Sequence, residues 1–324
     1  MNHVFFAIAV GIFAVLGVVI HEPYFIHILI LCFIWSMVVA GWDLVLGYAG
    51  IFNFAQLVFF AAGAYGSSMA AINLGAPSIT PLLIGMGFAG VVGFLIGLPC
   101  LRLRGEFIAL FTFTVHLALP SLIRQGRPIG TGGSTGLLGI PPLEFGDFAL
   151  VSQNKMAWYY LALGVASIAI YVIYYIVIPG RWGKAFVAMR DSEDFAKSLG
   201  INDYKYKLVV FTVSALITGL AGALYAHYVT VVTPKILGTE FFLIVMVMLS
   251  VGGLGRFPGV IVGAFIVTIG NEWLREVGHY RLMLLGLAVV LIILFMPKGI
   301  VELYDRGQRT WSKKAPVFRR KNLK

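Results

Sequence analysis

The side chains able to do acid, base or nucleophilic chemistry are few, and their spacing does not suit it. Asp43, Glu106, His116, His227, Glu240, Glu272 and Arg275 stand in or beside apolar runs. Glu272 and Arg275, three apart near a span end, read as a local helix pair. Asp43, Glu106 and Glu240 fall at the ends of apolar runs, where a headgroup-level position is expected. The six histidines are scattered and no H-E-x-x-H occurs, which leaves a metal centre without support. Gly183-Lys184 is followed by Ala185 and has Ile178 where a phosphate loop needs glycine, while Gly259 comes one place too late for a dinucleotide fingerprint begun at Gly253 and Gly255. Cys32 and Cys100 read as small buried hydrophobes. No catalytic residue, no metal and no cofactor is therefore expected. The polar groups that stand out are two amides, Asn53 and Gln56, three apart on one face of an apolar helix. Polar groups at membrane depth face a cavity or a partner; the alternative is an interhelical hydrogen bond worth about 1 kcal/mol. His116, beside Thr112 and Thr114, faces a cavity or is a satisfied core histidine.

What must position these groups is a membrane-embedded bundle. Only 12% of the 324 residues are charged and 60% are hydrophobic, with mean hydropathy +0.92; a soluble domain carries about 25% charge. At roughly 20 apolar residues per helical span, the chain is an all-α polytopic integral membrane protein with about 8–10 transmembrane helices. Apolar runs place them near 4–20, 24–42, 54–72, 82–100, 106–123, 157–178, 208–230, 241–254, 258–273 and 282–297. Residues 1–3 carry no Lys or Arg, so the first run reads as a retained helix and not a signal peptide. Glycines such as Gly85, Gly93, Gly219 and Gly222 suit close helix packing.

The net charge of +10 reads as topology and not as nucleic-acid binding. None of the 24 Lys and Arg precedes Arg102, six lie between Arg181 and Lys207, and nine between Lys298 and Lys324. Basic residues collect on the cytoplasmic side, so loop 179–207, the tail 301–324, Arg102, Arg104 and both termini are expected inside and 124–156 outside. The loop is too long and too mixed in charge for a mere turn. Placed on one helix, Ala185, Met189, Phe195 or Ala196, and Leu199 form an apolar strip, and Gly200 stops it. Such a helix fits a groove on a partner protein; a solvated loop is the alternative. The tail, with Arg319-Arg320-Lys321, suits anionic lipid headgroups.

Gly183, Ala185, Arg190, Ala196, Leu199, Gly200 and Ile201 together resemble the coupling-loop motif of the branched-chain amino acid class of ABC-importer permeases. Three further stretches match that family: DLVLGYAGIFNFAQLVFFAAGAY at 43–65, LRLRGEFIALFTF at 101–113 followed by GTGGSTGL at 130–137, and GGLGRFPGVIVGA at 252–264, with FMPKGI at 295–300. The RLRG and TGGSTGL elements look like the LivM type of subunit rather than its LivH partner. The resemblance implies a permease domain over 1–300, with a basic tail beyond, in a bacterial inner membrane. It implies half of a translocation pathway for branched-chain or related hydrophobic amino acids or small carboxylates. It also implies four partners: a second permease of the LivH type, two ABC ATPase subunits and a periplasmic substrate-binding protein. The ATPase-coupling set would be Arg181, Gly183, Ala185, Arg190, Asp191, Phe195, Ala196, Leu199 and Gly200, with Arg190 and Phe195 as contacts.

Where many members read GYAGQLSLGHAAFF, this chain has Gln56 for the histidine and Asn53 for the serine. Asn53 and Gln56, with Phe52, Phe59, Tyr65 and His116, are the expected pathway residues. Aromatics in such a span are otherwise core or lipid-facing. The rival reading is a stand-alone ion-coupled transporter, which would need a midplane relay of carboxylates or histidines.

Overall fold

The computed structural model describes residues 3–275, apart from 21, 76–78, 101, 104, 146–147 and 152, together with a few positions between 283 and 290. The expected span at 282–297, the FMPKGI stretch, Arg104 and the tail 301–324 lie essentially outside the described residues.

Among the described residues nine apolar helices stand at nine of the expected places. The first six are α1 (His3–Val19), α2 (Pro23–Asp43), α3 (Gln56–Leu74), α4 (Thr80–Cys100), α5 (Glu106–Gln125) and α6 (Lys155–Tyr171). After two short helices, α7 (Arg181–Asp191) and α8 (Glu193–Ser198), come α9 (Asp203–Val229), α10 (Thr239–Gly252) and α11 (Gly259–Trp273). Five described helices, counting the π turns that extend α2 and α6, are long and apolar enough to cross a bilayer; α1, α10 and α11 are apolar but shorter. The fold is all-α and polytopic.

Polar side chains start the helices that leave loops. Asn154 accepts a hydrogen bond from the Ala157 N–H to cap α6, and Asn202 accepts one from Lys205 N–H to cap α9, each satisfying a donor that the first turn leaves unpaired. Small residues then set how closely the helices approach. A Cβ on Gly63 of α3 would fall onto the backbone of Gly219 in α9, and one on Gly222 onto the Phe60 carbonyl. So α3, α4 and α9 pack mutually, with α3 and α9 backbone against backbone, a packing that lipid solvent favours because apolar burial gives helices no drive to associate there. Trp42, Phe59 and Phe60 fill the remaining space and are fully buried.

Small strands close the end expected to lie outside. β1 (Leu137–Leu138) pairs antiparallel with β4 (Val231–Val232), and β2 (Leu143–Phe145) with β3 (Phe148–Leu150). His227 of α9 links this end to the bundle, its Nε2 2.8 Å from Ser67 Oγ and its Nδ1 3.0 Å from the Pro141 carbonyl. It is a satisfied buried histidine.

Two departures from helical regularity matter for function. At the ends of α2 and α6 the chain widens into π turns, Leu44–Tyr48 and Val172–Val177. The third expected span also begins late: Gly50 sits at φ +68°, residues 51–55 form no helix, and α3 starts only at Gln56.

Candidate functional site

The interrupted span carries the first group of expected residues. Asn53 Oδ1 accepts the Ala55 N–H at 2.9 Å, the Trp42 indole donates to the Asn53 carbonyl at 2.6 Å, and the Phe54 N–H donates to Thr112 Oγ1 at 3.0 Å. Gln56 is buried among three helices; its amide nitrogen donates to Ser214 Oγ at 3.1 Å and to Thr218 Oγ1, both on α9. Ser214 in turn donates to the Gly41 carbonyl of α2 at 2.7 Å. Of the two sequence readings of these amides, Gln56 has the geometry of interhelical bonding, whereas the Asn53 side chain bonds locally, its Nδ2 donating to Gln56 Oε1 at 3.4 Å; both side chains are buried. They brace the stretch that holds Phe52, which is 54% exposed. Among the described residues the backbone N–H groups of Phe52 and Asn53 and the carbonyls of Ile51 and Phe52 have no hydrogen-bond partner. In a bilayer such backbone is tolerated only where it is buried in protein or lines a wet cavity.

The other pathway candidates divide. Phe59 is fully buried, edge-on to Phe211, and belongs to the core. Tyr65 borders a small apolar cavity between α3, α4 and α5, and its hydroxyl lacks a partner among the described residues. His116 is buried with Nδ1 unpaired, its ring 5.2 Å from that of Phe242. Phe242 also meets Phe54 and Phe113, at 5.8 and 6.0 Å between ring centres. This aromatic cluster lies beside the 51–55 stretch.

At the same end of α2, Asp43 corrects the headgroup expectation. It is fully buried, because two distant segments close over it: Oδ1 accepts the Gly255 N–H at 2.7 Å and Oδ2 accepts the Tyr174 hydroxyl at 3.0 Å. Tyr174 belongs to the second π turn and packs on Phe257, ring centres 4.3 Å apart. Gly47 stands where Asp43 and Gly255 leave no room for a Cβ.

The segment 181–201 is two helices and not one. Ser192 adopts φ −163°, ψ 109°, and its hydroxyl accepts the Phe195 N–H at 3.3 Å. A serine followed by Glu193 and Asp194 is a strong helix start, so the chain restarts there and the expected single strip is split. Ala185, Phe186 and Met189 of α7 and Ala196 of α8 are buried, whereas Phe195 and Leu199 are 63% and 65% exposed. Gly183 packs on the Ile178 backbone, and Gly200 closes α8 at φ +81°. Arg181 and Asp191 are exposed, and Arg190 turns back toward the bundle, Nη1 donating to the Gly47 carbonyl at 2.9 Å.

An ion-pair group fixes α8 to α9: Glu193 meets Lys197 at 2.9 Å and Lys207 at 3.0 Å, and Lys197 meets Asp203 at 3.0 Å. Burial alone would raise the Glu193 carboxyl, but the hydrogen bonds from Lys197 and Lys207 outweigh it and hold it below the usual carboxylate value. Glu272 and Arg275 form the expected local pair at 3.0 Å. Among the described residues no three His, Cys, Asp or Glu side chains cluster in a way that would hold a metal ion.

With this geometry in view, comparison with known proteins is specific. The family described as "Branched-chain amino acid transport system / permease component" matches residues 24–296. The chain belongs to that family. Its members are transport permeases and not an enzyme class, and the chain is a multi-pass membrane protein. It is 28% identical over 300 residues to the high-affinity branched-chain amino acid permease LivM of Escherichia coli, covering 86% of this chain and 70% of that protein. For the Salmonella typhimurium LivM the identity is again 28%, covering 81% of this chain and 66% of the relative. The ribose import permease RbsC of Haemophilus influenzae is 26% identical, covering 79% of each chain. No solved structure matches.

Sequence reasoning missed Ser214, Thr218, Tyr174, Gly47 and Gly255. The two hydroxyls, four apart in an apolar run, were a readable signal of a polar seam. The glycines and Tyr174 gain their meaning only from the contacts that folding creates.

Proposed function

We propose that this chain is one permease half of an ATP-driven importer for branched-chain or related hydrophobic amino acids or small carboxylates. The carrying observation is the exposed apolar pair of Phe195 on α8 and Leu199 just past its end, set by the Glu193, Lys197 and Asp203 ion pairs. Two large apolar side chains held rigidly in view, rimmed by charge, are what a partner groove takes up. The partner is an ABC ATPase. A second permease of the LivH type, to which this chain is also similar at 23% identity, completes the pathway with its own ATPase, and a periplasmic binding protein delivers cargo. Both termini and α7–α8 face the cytoplasm, and β1–β4 the far side.

On the pathway, Phe52 and the unpaired backbone around it face the cargo. Asn53 and Gln56 hold that stretch in place, and His116 and Tyr65 stand behind the lining. The chain's residues supply position and alternating exposure, and the ATPases supply the drive: hydrolysis biases the permease only through contacts that differ between its two states.

The test is purification of the complex followed by uptake in vesicles. Recovery of two ATPases and a second permease, with uptake dependent on internal ATP, is the expected result. Uptake by this chain alone, driven by an ion gradient, overturns it.

A further inference from the structure

The cytoplasmic segment and the interrupted span meet at one side chain. Arg190, near the end of α7, lies across the π turn that ends α2: Nη1 donates to the Gly47 carbonyl at 2.9 Å, and its stem packs on Gly50, where an added Cβ would come within 2.5 Å of Cγ. Gly50, at φ +68°, is the point from which the extended stretch 51–55 departs. The same turn is closed by Asp43, which accepts from Gly255 and Tyr174, with Gly255 lying beside the Arg190 guanidinium. Meanwhile α7 is seated by the fully buried Phe186. The helix ends at Tyr48, so the Gly47 carbonyl has no following helical N–H to accept from, and a guanidinium holds such an oxygen with a charge-assisted bond.

We propose that Arg190 is a positioning residue, not an ATPase contact: it is the tie through which displacement of α7 reaches the turn at 44–50 and, by direct chain continuity, Phe52 on the pathway. The proposal rests on the importer reading above and assigns separate duties to the two cytoplasmic helices. α8 receives the ATPase; α7, through Arg190, passes the movement inward. Asp191, which pairs with Arg190 at 3.2 Å on the exposed side, leaves the Gly47 bond intact.

The experiment uses the full complex carrying Phe52→Cys as a reporter. The native thiols, Cys32 and Cys100, are both buried, so a water-soluble maleimide reads position 52. Labelling rates are compared with and without a non-hydrolysable ATP analogue, beside ATPase retention and ATP-driven uptake. Arg190→Leu keeps packing on Gly50 and removes the donors; Arg190→Lys restores one donor.

With native Arg190 the analogue changes the labelling rate. With Arg190→Leu the ATPases stay bound, the change in labelling disappears, and uptake without the reporter falls about tenfold, as expected for loss of one charge-assisted hydrogen bond. Arg190→Lys recovers part of both. Loss of the ATPases from Arg190→Leu, or labelling that still responds to the analogue, overturns the proposal. A complex with native Arg190 that retains no ATPase overturns the importer reading itself, and the proposal falls with it.

Discussion

Arg190 and Phe195 stand close together in the segment 181–201, yet they are engaged differently. Arg190, its side chain still 39% exposed, holds the Gly47 carbonyl, whereas Phe195 is 63% exposed and stands on the apolar side of α8. The family resemblance gives both residues the same duty, as contacts, although helical periodicity already puts Phe195 on the apolar strip and Arg190 on its flank. The break at Ser192 separates them, since a capped restart rotates the second helix out of register with the first. On the function proposed above, one surface is for being held by a partner and the other for holding the protein's own moving part.

The sharpest way to break this contrast is to strip the outward face. Phe195→Ala with Leu199→Ala is expected to weaken ATPase binding by ~30-fold or more, taking over 1 kcal/mol for each truncated anchor, while the turn at 44–50 and membrane insertion are unaffected. Co-purification with the ATPases measures it, and undiminished recovery would place the docking surface elsewhere. Gly47→Ala attacks the inward side: its Cβ has no space beside Asp43 and the Gly255 backbone. Overpacking of this kind costs about 1–3 kcal/mol, so uptake should fall about tenfold with ATPases still bound. Normal uptake would mean that the turn yields freely.

Gln56→Leu sharpens the comparison from the membrane side. It removes the amide that Ser214 and Thr218 bond to, leaving Ser214 its bond to the Gly41 carbonyl; such interhelical bonds are worth about 0.6–1.7 kcal/mol. Uptake should fall a few-fold for every cargo alike, because the amide braces the path without lining it. A change in the ratio between leucine and a small acid would instead put Gln56 in contact with cargo. The smallest effect concerns α8 alone. Because the Glu193 carboxyl lies below its ordinary value when folded, the stabilisation from its ion pairs is present above the unfolded-state pKa and is lost as pH falls through the lowered one. Proteolytic nicking of 192–203 should therefore stay low near neutrality and rise only below about pH 4; nicking that climbs already near pH 6 would contradict it.

The spans were legible because their apolar runs are long and the bilayer permits little else. The interruption at 51–55 was not, because Phe52, Phe54 and Leu57 read as an ordinary apolar face whether or not the backbone is helical. Asp43 was misplaced for a related reason: it ends an apolar run, and only the return of Tyr174 and Gly255 from distant sequence buries it. The two amides drew attention to this stretch, but what Gln56 bonds to was not readable, since its partners Ser214 and Thr218 lie some 160 residues away, while the Asn53 side chain bonds within its own neighbourhood, at Ala55 and Gln56. The Ser192 restart was readable from serine followed by two acids, but the apolar strip drawn through it obscured that signal.

The glycine-to-glycine seams between α3, α4 and α9 have a mechanical consequence. With main chain pressed on main chain at Gly63 and Gly219, no rotamer change can absorb a shove, so the three helices behave as one incompressible cartridge. If the proposed stroke arrives at residue 50, that block leaves it nowhere to dissipate, and it is passed to the short unhelical tether below Gln56, whose bonds to Trp42 and Thr112 then bear the load.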